Sequence, residues 1–465
     1  MLDATPAVSD ILPRPPLPTR LRSQAESFLV LRRNPLELWG RPAYREMVIP
    51  GSFLGRKQLV LNDPAGIRHV LVGNAGNYTR NAAAGRVLRP ILGEGLFLAE
   101  GEAWRHQRRV IAPALAPRVM PILIRHIAAV SAQAEDALAP DGPRGVELMG
   151  FLQRLTLDVA GQSMFSLEMG QFGGELRELL YRYGRDLAKP GVLDLVLPPG
   201  RDTLLDRARA RFRRDWVALM DRIMAAREAA APEIPSGDAE RARDLFDLLR
   251  AARDPETGEG FGRELLRDEV ATLILAGHET TAVTLFWACY AAARLPALQE
   301  AVAEEAAGLD LSPEGATASL PKLVRTRAFL DEALRLYPPA YLLVRQAREA
   351  DAVSGEPVGP GTVVSISPWL LHRHERFWRE PDRFDPDRFM PGAVAPEKMS
   401  YMPFGAGPRV CVGAQFALAE GTLVLARILR RFRLELPWGH EVMPRAIVTT
   451  QPDRVVRFRV VPRRE

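Results

Sequence analysis

The sequence predicts a mainly α-helical protein with a small amount of β-sheet. Three observations support this prediction: apolar residues recur at helical spacing along most of the 465 residues, strand-like runs are short, and one long apolar stretch has the length of a buried helix. The chain shows no internal repeat and no low-complexity linker long enough to divide it. We therefore expect a single domain over residues 1–465, which begins with an extended, proline-rich lead-in at residues 1–22.

The pattern of apolar residues predicts individual helices and strands. Helical periodicity is clear in four segments: Met120–Leu138, Arg201–Ala230, Asp244–Ala252 and 270–293. Strand patterns occur in four shorter segments: Gln58–Leu61, Thr362–Ser367, Phe432–Leu436 and Arg454–Val460. The prolines and glycines of Ala231–Gly262 predict mobile loops.

Composition excludes several classes of protein. Hydrophobic residues make up 47% and charged residues 26% of the chain, which is typical of a globular protein. The net charge of +5 is spread along the chain without a long basic block, so we expect no nucleic-acid binding. Two cysteines, Cys289 and Cys411, are too few for a disulfide scaffold or a four-cysteine zinc site.

The chain shows no sign of a membrane anchor. Its first twenty residues carry charges and lack a continuous apolar run, so we expect no signal peptide and a cytoplasmic location. Val270–Ala293 is long enough to cross a membrane, since a helix of 24 residues at about 1.5 Å per residue spans roughly 36 Å. However, Glu279 near its middle would cost about 2.5–3.5 kcal/mol in lipid. We expect a buried core helix instead.

The strongest chemical signal is a glycine-rich loop around Cys411. The loop runs from Phe404 to Gly413 and is followed by the apolar, helix-forming run Ala414–Leu429. Glycines allow close backbone approach to a flat or bulky group, and a helix N-terminus directs N–H groups towards the sulfur, which favours a thiolate. Arg409 supplies a cation for a carboxylate. From these residues alone, an inert buried cysteine in a turn is an equally good interpretation.

This loop resembles the haem-binding loop of the cytochromes P450, which has the pattern F-x-x-G-x-R-x-C-x-G. The five fixed positions are all matched, by Phe404, Gly407, Arg409, Cys411 and Gly413. The resemblance implies a large helical lobe and a small β-rich lobe, with haem b between a long central helix and the cysteine loop. It implies that Cys411 binds the iron as a thiolate and that Arg409 pairs with a haem propionate.

Cys289 matches no position of the pattern. We expect it to pack in the core.

A second segment, Ala276–Thr281, is similar to the family's oxygen-activation motif [AG]-G-x-[DE]-T-[TS]. An acid followed by a hydroxyl, Glu279 and Thr280, can relay protons, and the small residues Ala276 and Gly277 leave room for a bound group. Taken alone, Thr280 is equally explained by a hydroxyl bonded to a helical carbonyl. His278 occupies the variable position, and we expect it to pack or to form a hydrogen bond.

The third match is structural. Glu332 and Arg335 resemble the E-x-x-R helix of the family, and Arg388 lies in a segment that by resemblance joins this pair beneath the haem. The family usually has Glu where Asp387 stands.

The fourth match concerns the haem propionates. Trp104 and Arg108 match W-x-x-x-R, a spacing that places both on one helix face, where both can contact a propionate. Arg345, after Pro338 and Pro339, lies where bacterial relatives often have another propionate partner.

The resemblance implies a haem-thiolate monooxygenase. Such an enzyme activates O2, inserts one oxygen atom into an apolar C–H or C=C bond and needs two electrons from outside. No glycine-rich flavin or nicotinamide segment follows the last predicted strand, so we expect a ferredoxin or flavodoxin with an NAD(P)H-dependent reductase, and no fused reductase. Four arginines are expected to attract an acidic redox partner: Arg105, Arg109, Arg430 and Arg431.

The expected substrate is a lipophilic small molecule, and the enzyme is expected to be a monomer. Five mostly apolar segments are predicted to line the pocket: Ala82–Phe97 as a loop, Phe165–Val196, Leu273–Ala276, Ala340–Val344 and Val448–Thr450. This composition suits a fatty acid, terpenoid, steroid or aromatic compound.

Four alternatives remain open from the sequence. A peroxide-dependent haem enzyme or a haem-thiolate isomerase would share the Cys411 loop but typically lacks the acid–alcohol pair. A haem-binding sensor would need no proton relay and should carry an output domain. A helical binding protein without haem is the fourth.

Overall fold

A computed structural model describes residues 10–20, 22–53, 55–80, 82–138, 145–167, 170–188, 194, 203–230, 242–437 and 441–463. Helices dominate these residues. In chain order they are α1 Gln24–Arg33, α2 Pro64–Arg68, α3 Ala82–Leu92, α4 Gly101–Ile111, α5 Met120–Ala137, α6 Leu148–Phe165, α7 Gly170–Arg182, α8 Leu204–Ala230, α9 Leu245–Ala251, α10 Arg263–Arg294, α11 Pro296–Ala307, α12 Ala316–Ser319, α13 Val324–Leu336, α14 Pro368–Leu371 and α15 Ala414–Arg431.

The described strands are short. They are β1 Val48–Phe53, β2 Arg56–Leu61, β3 Tyr78–Thr79, β4 Val146–Glu147, β5 Leu343–Ala347, β6 Asp351–Val353, β7 Glu356–Val358, β8 Val363–Ile366, β9 Phe432–Glu435, β10 Pro444–Ala446, β11 Thr450–Pro452 and β12 Arg457–Pro462. The largest sheet has the order β1-β2-β8-β5-β3, in which only β2 and β8 pair in parallel. A three-stranded sheet has the order β4-β12-β9, and β10 and β11 form a hairpin.

The long helix α10 connects two apolar clusters. Its first half, including Val270 and Ile274, packs into a cluster with α3, α7, α8 and α9. Its second half, Ala282–Ala292, is fully buried in another cluster with α6, α13 and α15. A third, smaller cluster lies under the five-stranded sheet. The segment between the two halves of α10 carries Ala276–Thr281, so the fold holds this motif between the two larger clusters.

Most predicted elements are confirmed to within a few residues. The predicted helix 270–293 begins earlier, at Arg263, because the polar residues that precede Val270 are good helix formers and Gly262 provides the N-terminal boundary. The predicted strand Arg454–Val460 begins three residues later, at Arg457. The mainly helical fold with small sheets is therefore as expected.

One prediction about a loop was wrong. Residues 82–92 of the predicted loop Ala82–Phe97 form helix α3, because Val87 and Ile91 one turn apart are buried in the helical cluster. The predicted mobile loop Ala231–Gly262 is only partly described, since residues 231–241 lie outside the described ranges. In its second part, both carboxylate oxygens of Asp254 accept hydrogen bonds at 2.9 Å from Arg109 on α4. The mobility of this segment stays a prediction.

One helix within the described residues, α10, is long and apolar enough by composition to cross a membrane. In its most apolar window, 67% of the residues are buried inside the protein, as in a core helix. Helices α4 and α5 pass the same test only as a pair, with a bend of 66° between them.

Candidate active site

The loop before α15 is shaped by glycines that no other residue can replace without strain. Gly405 and Gly407 both have φ near +73°, a left-handed conformation that disfavours a side chain. A Cβ at Gly407 would also collide with the main-chain oxygen of Leu71. The Cys411 N–H donates to the Phe404 carbonyl at 2.9 Å, which closes the loop. The sulfur therefore has a fixed position relative to the segment around Leu71.

From the surroundings of Cys411 we infer that it faces an internal cavity. Its side chain is exposed, yet it is surrounded by enough protein for burial to raise the pKa of its thiol. A hydrogen bond from the Gly413 N–H and the charge of Arg108 lower that pKa, but less than burial raises it. The N–H at the start of α15 thus acts on the sulfur in the predicted direction, but in the protein alone burial has the larger effect. A metal cation at the sulfur would displace the proton.

Cys289 is fully buried in the cluster around the second half of α10, where burial raises its pKa to about 12. It packs in the core as predicted.

One face of α10 opens into the interior. Ala276 is exposed, and Leu273, Gly277 and Thr280 are half-buried, although the flanking turns of the helix are buried. These four positions have the spacing of one helix face. A Cβ at Gly277 would meet none of the described atoms within 4 Å. Val412, next to Cys411, packs in the same apolar cluster as Leu273. The cysteine loop and this face of α10 therefore border the same apolar cluster.

The acid and the hydroxyl of this motif have different partners. Thr280 Oγ1 donates to the Ala276 carbonyl at 2.5 Å within the helix. The Glu279 carboxylate instead accepts hydrogen bonds from Thr449, at 3.0 Å, and from Gln451. Burial raises the pKa of Glu279, and these two hydrogen bonds lower it. A direct Glu279–Thr280 hydrogen bond is not present.

His278 lies on the buried side of α10. Burial lowers its pKa to about 4, so it is neutral, and it packs as predicted.

Three arginines converge on one side of the cavity. Burial, together with the charges of Arg409 and Arg345, lowers the pKa of Arg80 to about 9. Burial and the charge of Arg409 likewise lower the pKa of Arg345, which is 9% exposed. The nearest acid is Glu100, whose carboxylate lies 2.5 Å from Arg409. Arg80 Nη1 is buried without a hydrogen-bond partner among the described residues. The cluster thus holds three cations for one carboxylate.

Helix α4 supplies the other two predicted propionate partners. Trp104 and Arg108 are half-buried and one helical turn apart. Arg108 donates to the Val410 carbonyl at 2.9 Å, next to Cys411. Arg409 donates to the Ala99 carbonyl at the start of α4.

The pair Glu332–Arg335 on α13 is fully buried. Arg335 donates to both Glu332 carboxylate oxygens, at 2.6 and 2.7 Å, and its remaining N–H groups donate to the carbonyls of His372, Pro381 and Arg383. All five donors of the guanidinium are satisfied. Arg388 lies 3.6 Å from Glu332. The pair therefore ties α13 to the chain around residues 372–388.

The decisive comparison is with family models. The model described as Cytochrome P450 matches residues 47–456, which is most of the chain. The chain belongs to the cytochrome P450 family. It is a P450 monooxygenase, and the fold predicted from the cysteine loop is the one observed.

Other P450s are similar to most of this chain. Cyclooctatin synthase from Streptomyces melanosporofaciens is 33% identical over 436 residues, which cover 90% of this chain and 89% of that protein. Cyclooctat-9-en-7-ol 5-monooxygenase from the same organism is 30% identical, with 92% of each chain covered. Bifunctional cytochrome P450/NADPH–P450 reductase 2 of Bacillus subtilis is 29% identical, but the match covers only 35% of its length.

The P450 family implies a haem bound through a thiolate, and the residues of the cavity fit that group. Haem b carries two carboxylates, a flat macrocycle and an iron. The orphaned Arg80 Nη1 and the excess of arginines over Glu100 suit two carboxylates. The space beside Gly277 suits a flat ring, and the exposed Cys411 sulfur suits the metal.

Sequence reasoning missed Arg80, Glu100, Thr449 and Gln451 as candidate site residues. Arg80 belongs to no motif, and its importance depends on contacts with residues far along the chain. Thr449 falls in a segment that was predicted only to line the pocket.

Proposed function

We propose that this P450 hydroxylates or epoxidises a lipophilic small molecule with O2 and two externally supplied electrons. The observation that carries this proposal is that Val412, next to the exposed Cys411, packs against the same apolar cluster as Leu273, which lies on the face of α10 that holds Thr280. When bound, haem supplies the iron at which O2 is activated and from which one oxygen atom is transferred.

Each site residue has a role in this proposal. Cys411 is the iron ligand. The propionates are held by five residues, which are Trp104, Arg108, Arg345 and Arg409 together with Arg80. Ala276 and Gly277 leave space for the macrocycle, and Phe404, Gly407 and Gly413 shape the loop. Glu332, Arg335 and Arg388 support the loop from beneath.

Glu279 and Thr280 deliver protons in this proposal. Thr280 lies on the cavity face, and its Oγ1 accepts a proton with its free lone pairs while it donates to the Ala276 carbonyl. Glu279 is the proton source, because burial raises its pKa and so keeps a proton on the acid nearer neutral pH.

The substrate is proposed to be apolar, and a terpenoid is the first class to test. The cluster beside the cavity consists of Leu, Ile, Val, Phe and Met side chains of α3, α7 and α8. One relative is named for oxygenation of cyclooctat-9-en-7-ol and another for synthesis of cyclooctatin. A panel of terpenoids, fatty acids and steroids should be screened for optical shifts caused by displacement of the iron-bound water. Binding of only charged or highly polar compounds would contradict the proposal.

Electrons are proposed to come from a ferredoxin or flavodoxin reduced by an NAD(P)H-dependent enzyme. The structure revises the arginines expected to bind it: Arg109 is held by the buried Asp254, and Arg430 donates to the Leu309 carbonyl. Arg105 and Arg431 are exposed, and their acidic partners Glu102 and Asp136 are exposed as well, so these pairs are weak.

We therefore expect Arg105→Glu and Arg431→Glu to slow reduction and to weaken its dependence on ionic strength. Arg32→Glu, on α1, is the charge-matched control. Equal reduction rates in all three variants would contradict an acidic partner at this surface.

The basic test of the whole proposal is optical. Reduced protein exposed to carbon monoxide should show the strongly red-shifted absorption band of thiolate-bound haem.

A peroxide-dependent enzyme is the second candidate, and Glu279 argues against it because such enzymes typically lack the acid–alcohol pair. We also propose that the chain acts as a one-domain monomer in the cytoplasm, since free cysteines suit a reducing compartment.

A further inference from the structure

The hairpin β10–β11 holds the acid of the oxygen-activation motif. Thr449 Oγ1 donates to Glu279 Oε1 at 3.0 Å, and Gln451 Nε2 donates to the same oxygen. We propose that Thr449 and Gln451 are positioning residues for proton delivery, which hold the Glu279 side chain and stabilise the carboxylate that forms when it releases its proton. This inference rests on the proposed role of Glu279.

The local backbone brings these two residues together. Thr449 lies in the bend before β11, and the Gln451 N–H donates to the Thr449 carbonyl at 3.1 Å. Thr450 Oγ1 donates to the Pro338 carbonyl at 2.6 Å rather than to Glu279. The Thr450 carbonyl accepts a hydrogen bond from Trp287 Nε1, also on α10, at 2.6 Å. The hairpin is thereby anchored to the same helix that carries Glu279.

The electrostatic surroundings of Glu279 make these two donors important. Three influences act on its pKa: burial raises it, and the hydrogen bonds from Thr449 and Gln451 lower it. No charged group among the described residues contributes. Hydrogen bonds to a carboxylate stabilise its ionised form, so loss of either donor makes the acid hold its proton more tightly. An acid with too high a pKa is a poor proton donor.

The proton balance of the step is simple. The O–H bond of the Glu279 carboxyl breaks, and the proton passes to a lone pair of the Thr280 hydroxyl. The original O–H of Thr280 then turns from the Ala276 carbonyl and gives its proton to an acceptor in the cavity. Glu279 is left as a carboxylate, and a proton from water restores the acid. Thr449 and Gln451 give up no atoms and stabilise the charge on Glu279 at the hairpin.

Two adjacent threonines offer a matched test. Thr449→Val and Thr450→Val remove the same hydroxyl from the same turn and keep side-chain size, but only Thr449 bonds to Glu279. Infrared spectra of the haem-loaded enzyme across pH report the carbonyl stretch of protonated carboxyl groups. Subtracting the spectrum of Glu279→Gln isolates the band of Glu279 from those of other buried acids such as Glu420.

We expect the midpoint pH of the Glu279 band to rise by about one unit in Thr449→Val and in Gln451→Met. It should stay unchanged in Thr450→Val and return to the wild-type value in Thr449→Ser. During turnover, Thr449→Val should direct several-fold more electrons to hydrogen peroxide than Thr450→Val does.

Each outcome decides a different claim. An unchanged midpoint in Thr449→Val overturns the inference and leaves the proposed function intact. If Glu279→Gln forms no more peroxide than wild type, the proposed role of Glu279 is wrong and the inference fails with it. Haem content and the carbon monoxide spectrum show whether each variant is folded.

Discussion

The Arg409 guanidinium lies over the indole ring of Trp104, 4.6 Å from the ring centre. Arg409 belongs to the cysteine loop, and Trp104 belongs to helix α4, which the sequence connected only through two separate motifs. A cation over an aromatic face is attracted by its negative potential. The contact therefore holds two predicted propionate partners in place relative to each other.

Cys411 and Cys289 should differ in what their loss affects. Cys411→Ala should abolish the red-shifted carbon monoxide band, because the proposed iron ligand is gone. Cys289→Ala should keep the band and lower the free energy of unfolding by about 1 kcal/mol, because it only reduces packing in the core. A normal carbon monoxide spectrum for Cys411→Ala would contradict thiolate ligation.

Arg80 should be needed for haem retention. Arg80→Gln removes a cation whose Nη1 is buried without a partner among the described residues, and hydrogen bonds to charged groups contribute about 1.5–3 kcal/mol. We expect haem to transfer to apomyoglobin about 10- to 100-fold faster than from wild type. Arg89→Gln, which breaks an exposed pair with Glu94, is the control. Equal transfer rates for the two variants would exclude Arg80 from the propionate site.

Thr280 and its neighbour Thr281 provide a second matched pair. Thr280→Val should keep the haem but increase the share of electrons lost to hydrogen peroxide several-fold, measured with a compound from the binding screen. Thr281 is buried, and its hydroxyl has no hydrogen-bond partner among the described residues. Thr281→Val should therefore leave coupling unchanged and keep or raise stability. Tight coupling in Thr280→Val would refute the relay.

Glu332 should be essential for stability. Glu332→Gln leaves Arg335 as a buried charge without its carboxylate, which costs about 3–5 kcal/mol. The loss should appear in chemical denaturation followed by circular dichroism. Glu102→Gln breaks a pair with the same i,i+3 spacing on the surface of α4 and should have no measurable effect. Similar stability of both variants would show that the buried pair is not a structural anchor.

His372 should make the protein less stable in acid. Its ring accepts a hydrogen bond from the Met402 N–H and faces the Arg335 carbonyl, and burial lowers its pKa to about 3. The unfolded chain binds a proton at about pH 6.5, so between pH 6.5 and 3 it carries one proton more than the folded protein. The free energy of unfolding should fall with decreasing pH by up to about 1.4 kcal/mol per unit.

His372→Gln tests this prediction, since glutamine can accept from Met402 but does not titrate. The variant should be less stable at pH 7 yet lose less stability on acidification. Above pH 7, where the histidine is neutral in both states, the two proteins should show parallel curves. If the free energy of unfolding of His372→Gln falls with decreasing pH as steeply as that of wild type, other groups cause the acid sensitivity. His278 is the first of these to test.

Motifs within one element were predictable, whereas contacts between distant elements were not. The helix that carries Glu279 and Thr280 and the loop that carries Cys411 followed from periodicity and spacing. Arg80 could not be recognised, because its role depends on the approach of Arg345 and Arg409. Thr449 was predicted to line the pocket. Its hydrogen bond to Glu279 could not be predicted, because it depends on how β11 packs against α10. Helix α3 was missed because burial of its apolar face outweighs local glycine and proline preferences.

The close approach of Gly407 to the Leu71 main chain has a consequence for how this enzyme can diversify. Through Gly407, the loop that carries the Cys411 sulfur packs against Leu71, which belongs to the third cluster under the five-stranded sheet. The apolar helices α3, α7 and α8 that border the cavity belong to a different cluster. Because Gly407 anchors the loop to the third cluster, substitutions in these helices away from Val412 can reshape the space offered to a substrate with little effect on the proposed metal ligand. Molecular selectivity can therefore change while the cysteine loop is conserved.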